Sequence, residues 1–415
     1  MTEKRSENSS GIRDYAFKTD FDYFLSNNHH LKFGALIIHH HYQPKGYSVS
    51  DATNQAIESS QEFKNVEFAF YWEDDFQITN KLSTNFGTRF GGVLDANTDS
   101  YFNIEPRVSL DFQLSKSTAI HSAYSRTNQY MHLLSNTGLG LPTDLWVPVT
   151  QHTPAVQADQ YALGVTGNIP HKSILISVET YRKYLRNIIT YKDGATFLSV
   201  DDAENIDWEE NVSSGKGWSY GTEFLVSKNE GRLQGLISYT LSWAINQFAD
   251  INQGKRFYAS TDRRHAISMA GSYKLSPKVN VSVNWIFNAG NPLNVPQGFY
   301  HGNFATGADI KGVWGDTVTY EIRTRGTDLV PYAGSTNSFK AESYHRLDMA
   351  VQFHKKKKKY ERFWEFGLFN AYNRKNPFYY YLERENDFST NSQRMVLRKK
   401  SFLPILPSIT YNLKF

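Results

Sequence analysis

Residues 279–288 read Val-Asn-Val-Ser-Val-Asn-Trp-Ile-Phe-Asn. Val279, Val281, Val283, Trp285 and Phe287 fall on alternate positions, with Asn280, Ser282, Asn284 and Asn288 among the residues of the other face. Side chains alternate across a strand with period two, so this stretch has one apolar face and one polar face. A helix would scatter the same apolar residues around its circumference. The pattern recurs at Val66, Phe68, Phe70 and Trp72, and at Val108, Leu110, Phe112 and Leu114. It returns at Leu233, Ile237, Tyr239, Leu241 and Trp243, and at Leu347, Met349, Val351 and Phe353. No segment sustains a helical period beyond two turns, so the chain reads as nearly all β.

The connections carry a second signal. Short polar turns are expected at Asn27–His30, Ile78–Asn80, Ser115–Ser117, Asn168–His171, Lys228–Gly231, Leu275–Pro277 and His354–Tyr360. Between them lie longer, irregular connections near 43–60, 93–101, 129–156, 184–217, 247–263, 289–343 and 373–400. Strict alternation of short and long is the mark of an up-and-down membrane barrel, with tight turns at one end and long loops at the other. The count is about fifteen strands, many with the roughly 9–11 residues that cross a bilayer. A soluble sandwich has no reason to keep one end short every time.

Composition agrees. Aromatic residues make up 15% of the 415, there is no Cys, and Lys+Arg number 45 against 41 Asp+Glu. Without Cys there is no disulfide scaffold, zinc–thiolate site or thiol nucleophile. A net charge of +4 is too slight to point to nucleic acid. The mean hydropathy of −0.53 and the lack of long apolar runs exclude helical spans, but not strands that alternate apolar and polar residues. Residues 1–11 form a polar lead-in without the apolar stretch of a secretory signal, and 12–415 read as barrel.

The chain ends Ile409-Thr410-Tyr411-Asn412-Leu413-Lys414-Phe415. Ile409, Tyr411, Leu413 and Phe415 share one face, and the strand 405–415 resembles the signal read by the barrel assembly machinery. With Tyr258 through His265, Trp285 through Pro292, Tyr344 through Asp348 and Phe366 through Pro377, it resembles the C-terminal part of a TonB-dependent outer-membrane receptor. The resemblance covers essentially the whole chain. It implies a barrel of about 22 strands closed around an N-terminal plug, placed in the cell outer membrane and driven by the TonB–ExbB–ExbD complex through that plug. Against that pattern the chain reads as an incomplete barrel beginning in mid-barrel, without plug, TonB box or signal peptide. The missing strands would come from the same gene or a separate chain. An odd number of strands cannot close with an antiparallel seam, and an open edge would strand unpaired backbone groups in lipid.

Other motifs have plainer readings. Lys355–Lys359 suits a solvated turn. His39-His40-His41 cannot chelate one ion from a strand, because His40 faces away from the other two. Asp262-Arg263-Arg264-His265 lacks a nearby nucleophile or oxyanion site and reads as a salt-bridged feature of the wall, so no catalytic residue, metal site or cofactor is assigned. Ligand contacts are expected from aromatic and His residues in or beside the long loops: Tyr130, His132, Trp146, His152, Trp208, Trp218, Phe257, Tyr258, Phe299, Tyr300, His301, Trp314 and Tyr332. An aromatic girdle at the lipid interface competes for the same residues.

The functional expectation is part of a receptor and transporter, not an enzyme, that imports a scarce solute, first an iron–siderophore or similar chelate. The alternatives are a glycan importer working with a surface lipoprotein, a passive channel or adhesin, and a non-functional receptor fragment. Outer-membrane lipid is an expected partner and nucleic acid is not.

Overall fold

The computed structural model describes residues 5–50, 56–95, 100–135, 144–192, 209–296, 298–314, 317–332, 334–357, 360–387 and 392–415. Its main sheet runs through fifteen strands in chain order, with the two-residue strand Phe257–Tyr258 attached at one side. The first six are β1 (Arg5–Phe24), β2 (His29–Ser50), β3 (Ala56–Thr79), β4 (Leu82–Asp95), β5 (Tyr101–Ser115) and β6 (Thr118–Gln129). Next come β7 (Val156–Ile169), β8 (Ile174–Tyr191), β9 (Val212–Lys228), β10 (Leu233–Phe248) and β11 (His265–Ser276). The last four are β12 (Val279–Asn288), β13 (Tyr344–Lys356), β14 (Glu361–Phe369) and β15 (Leu406–Lys414). Each pairs antiparallel with its chain neighbour, and the only helical turns among the described residues are three short 3₁₀ segments.

The short turns fall where the polar clusters place them. Thr79 Oγ1 accepts the amides of Lys81 and Leu82, and Ser276 Oγ those of Lys278 and Val279, so each tight turn satisfies its own amides. The long connections differ from the irregular loops expected. β2 and β3 stay paired to Ser50↔Ala56 through a bulge at Tyr42/Lys45, and β8 and β9 pair as far as Tyr191↔Val212. Three others contain hairpins: Met131–Ser135 with Asp144–Pro148, Gly298–Trp314 with Thr317–Tyr332, and Tyr379–Asp387 with Ser392–Lys400. Backbone groups in a long excursion must be paired, and local hairpins do this cheaply. The first strand begins at Arg5, inside the polar segment 1–11.

The outer face is apolar and bare. Phe17 is 68% exposed, Ile104 62%, and Phe70, Tyr161, Leu163 and Phe224 are exposed as well. Rings form rows across strands, as in Phe68–Phe90–Phe102 and Trp364–Tyr411. A continuous apolar belt of this extent is stable only against another apolar phase. The inner face carries Ser, Thr, Asn, Gln and charged residues. Among the described residues the buried apolar clusters, Leu134, Val147 and Val212, and Val93, Tyr130, Val149 and Ala155, sit at the long-connection end. Among the described residues β1 pairs only with β2 and β15 only with β14, so the barrel is not closed.

Candidate functional site

The connection from β6 to β7 is the best-packed part of the long-connection end. Its hairpin Met131–Ser135/Asp144–Pro148 reaches across to β1, β2 and β8. Leu134 and Val147 pack with Val212, against Phe63, Ile189 and Tyr191. Burying such side chains is worth about 1.5–3 kcal/mol each, enough to hold the hairpin down. Behind it Thr150 and Thr153 form a closed turn: their hydroxyls are 2.8 Å apart, and the Thr150 amide donates to Thr153 O at 3.1 Å. The Tyr101 hydroxyl donates to Thr150 O.

Tyr130 and His132 are both buried here. His132 Nε2 lies 3.4 Å from Thr153 O, and burial pushes its pKa down to about 4, so the ring is neutral at neutral pH. Burial likewise pushes the Tyr130 hydroxyl up to about 12. These two expected ligand contacts therefore anchor the connection. Trp146 is half-buried on the hairpin opposite Leu133, and His152 is exposed at the tip of the turn.

A second set lies on the outer rim. Trp218 packs 5.9 Å from Tyr184 and carries the Arg256 guanidinium 4.3 Å above its ring. Arg264 sits 4.9 Å from Trp243 and 5.0 Å from Tyr258, and its ion pair with Asp262 spans 3.4 Å. Phe257 stacks on Phe248 at 6.1 Å. The expected wall role of Asp262 is visible: its Oδ1 accepts the Ala244 amide at 2.8 Å and so ties β10 to the start of β11.

Phe299, Tyr300, His301, Trp314 and Tyr332 lie on the paired strands Gly298–Trp314 and Thr317–Tyr332, with their side chains outside the described residues. Trp208 is outside them altogether, as are Lys358 and Lys359. The twelve expected residues that are described thus separate into a packed connection, an outer rim and a hairpin.

Sequence reasoning missed an ionic ladder on the inner face of β1–β6. His40 Nδ1 is 2.8 Å from Asp14, and its Nε2 is 3.5 Å from Glu67. Arg89 then bridges Glu67 at 3.4 Å and Glu105 at 3.8 Å. Glu105 also accepts the backbone and side-chain N–H groups of Asn128 at 3.1 and 3.2 Å. Toward the short turns Lys32 meets Asp75 at 2.7 Å, Arg107 meets Glu73 at 3.6 Å, and the Tyr71 hydroxyl donates to Asp20. Carboxylates outnumber cations along this wall, which gives it a negative potential. Charged residues at alternate positions of successive strands were the available signal. The register confirms that His40 faces this wall while His39 and His41 face away, and no group of three or more His, Cys, Asp or Glu among the described residues is placed to hold one metal ion.

The inner face of β10–β15 is different. A groove of about 570 Å³ is lined by small residues, among them Ala270, Ser272, Ser282, Ala350, Gly367 and Ser408, together with Asp348 and Glu365 and the apolar Leu236, Met349 and Phe369. Above it the run from Phe366 to Pro377 folds into a clamp. Arg346 holds Asp348 through two contacts of 2.9 and 3.0 Å, and Asp348 Oδ1 accepts the Asn370 amide at 2.9 Å. Asn370 takes a positive φ of 52° and donates to Arg374 O and Leu403 O. Asn376 grips His345 through both backbone groups. This motif turns the chain out of β14. On β15 Ile409, Tyr411 and Leu413 point outward and are exposed, and Phe415 just beyond the strand is exposed as well.

A family model described as TonB dependent receptor-like, beta-barrel matches residues 2–373. No curated protein matches the chain by sequence. Among solved structures, the ferripyoverdine receptor of the Pseudomonas aeruginosa outer membrane aligns with 100% of this chain and 49% of its own, at 13% identity and a TM-score of 0.55. The ferric citrate transporter FecA aligns over 100% and 55%, at 12% identity and 0.55. The ferric-catecholate import receptor Fiu of E. coli aligns over 99% and 55%, at 12% identity and 0.54. At such identity these likenesses speak for the fold alone. The chain spans about half the length of the structures it matches.

Proposed function

The chain belongs to the TonB dependent receptor-like β-barrel family, and from that premise we propose that it builds part of the wall of an outer-membrane import receptor. The solute is an iron–siderophore or similar ferric chelate, captured at the long-connection end and admitted past the inner face. A plug domain and the remaining strands complete the barrel, the TonB–ExbB–ExbD complex acts through the plug, and β15 engages the barrel assembly machinery. The observation that carries the membrane part is the two-sided sheet, with a bare apolar belt outside and a hydrogen-bonded polar wall inside. The choice of a ferric chelate is supported by the named activities of the similar structures, each of which handles a ferric complex.

The test is uptake of labelled ferric citrate, catecholate and hydroxamate complexes by iron-starved cells with and without the gene. Loss of one complex on deletion, restored by the gene and abolished without TonB, supports the reading. Uptake unchanged for every ferric complex, with loss of a glycan instead, would reassign the solute. Uptake independent of TonB would make the barrel a passive channel.

A further inference from the structure

The register of β7–β10 arranges the outer face in rows parallel to the barrel rim. Val165, Val178, Phe224 and Tyr239 form one row, and Leu163, Thr180, Thr222 and Leu241 the next. Then the chemistry changes. Tyr161, Arg182, Tyr220 and Trp243 stand side by side, followed by Asp159, Tyr184 and Trp218, and then by Gln157, Arg186 and Lys216. An apolar belt passing through Tyr and Trp into cations is the profile of a hydrocarbon-to-headgroup boundary.

The cations at this boundary lack matching acids. Asp159 is shared by Arg126 at 2.8 Å and Arg186 at 3.5 Å. The neighbouring Asp250 accepts the Ser213 hydroxyl at 3.1 Å. Arg182, Lys216 and Arg256 make no ion pair with any described residue, and Arg256 is held instead over the Trp218 ring. Arg186 and Lys216 are direct cross-strand partners. Like charges in that position repel, and an anion between them converts the repulsion into attraction.

We propose that this rim binds the phosphomonoester headgroup of a lipid in the surrounding leaflet, with Arg182, Arg186, Lys216 and Arg256 as its cations. The dianionic phosphate accepts several N–H donors at once, and planar guanidiniums suit it geometrically. The acyl chains then lie along the Val165 and Leu163 rows. The inference rests on the membrane reading proposed above.

The experiment uses the intact receptor that contains this chain, purified in detergent and analysed by native mass spectrometry for retained lipid. The probes are diphosphoryl lipid A and its dephosphorylated form. The triple variant Arg182→Gln, Arg186→Gln, Lys216→Gln is compared with Lys172→Gln, Lys274→Gln, Lys278→Gln, which removes the same charge at the short-turn end. The expected result is retention of the phosphorylated lipid alone, weakened on the order of a hundredfold in the rim variant, about fivefold per cation, and unchanged in the control. Equal retention of both lipids, or equal behaviour of the two variants, would overturn the proposal. Heat-modifiable gel mobility is read in parallel. A protein that inserts into no vesicle sinks the membrane reading itself, whereas normal insertion with indifferent lipid binding sinks only the headgroup site.

Discussion

The inner faces of β1–β6 and β10–β15 share one backbone geometry and differ in how they satisfy it. The first is a ladder of charges in which each group is held by a neighbour on the next strand, from Asp14 through His40, Glu67 and Arg89 to Glu105. The second carries many small residues and fewer charges, and its side chains leave a groove of about 570 Å³. A charged wall is coupled, because removing one member leaves its partners unpaired in a poorly solvated place. The second wall is more loosely coupled, since its Ser, Ala and Gly residues stand between isolated polar pairs such as Gln352–Glu365 and Arg346–Asp348. The first is therefore rigid and intolerant, and the second open to whatever fills the barrel.

The largest test of this contrast is Arg89→Met. It removes the cation between Glu67 and Glu105, whose side chains are 16% and 6% exposed, and leaves them only His40 and Asn128 among the described residues. The expected cost is about 3 kcal/mol in a urea unfolding series. Gly34→Ala should follow at about 2–3 kcal/mol. A Cβ there would collide with Thr19 O and stand 2.7 Å from the Tyr71 ring, which crosses Gly34 to reach Asp20. On the quieter inner wall, a Cβ at Gly367 would meet closely only the rotatable Ser408 hydroxyl, with the next atoms 3.9 Å away, so Gly367→Ala should stay within about 0.5 kcal/mol of wild type. Equal costs at the two glycines would erase the distinction.

A third test concerns the connection that packs against β1 and β2 at the top of the charged side. The folded pKa of His132, about 4, lies below its unfolded value of about 6.5. The folded form thus binds fewer protons, and stability present above pH 6.5 falls as the pH drops toward 4 and levels off below it. At pH 5 the loss is about 2 kcal/mol, read as faster hydrogen exchange in residues 129–156. His132→Gln should remove this pH step, and a step that persists would assign it to another group. The smallest effect is expected at Ser282→Ala, within about 0.5 kcal/mol. A cost comparable to that of Arg89→Met would show the groove to be as tightly coupled as the ladder.

Much of the fold was legible because β alternation is local. Val279 through Phe287 announce one lipid-facing stripe without reference to any other strand, and the turn at Ser276 announces its end. The site was less legible. Tyr130 and His132 look like mouth residues in sequence, and only the packing of Leu134 and Val147 against Val212 shows why they are buried. Trp218 and Tyr258 look the same in sequence, and their partners Tyr184, Arg256 and Arg264 place them on the outer rim instead. Asn370, Arg374 and Asn376 carry the family resemblance in the sequence, and the bonds of this run to Asp348, Leu403 and His345 give it a mechanical reason.

The sequence by itself determined which side chains face lipid, which end carries tight turns and that the chain builds a barrel wall, since period two and turn chemistry depend on adjacent residues. The tertiary structure alone decided which charges meet. His40 finds Asp14 and Glu67 through the register of three strands, a relation between residues 26 and 27 positions apart. It also decided that three of the long connections contain hairpins and that the one between β6 and β7 buries Tyr130 and His132. Pairing and burial are set by contacts distant in the chain, and no local pattern encodes them.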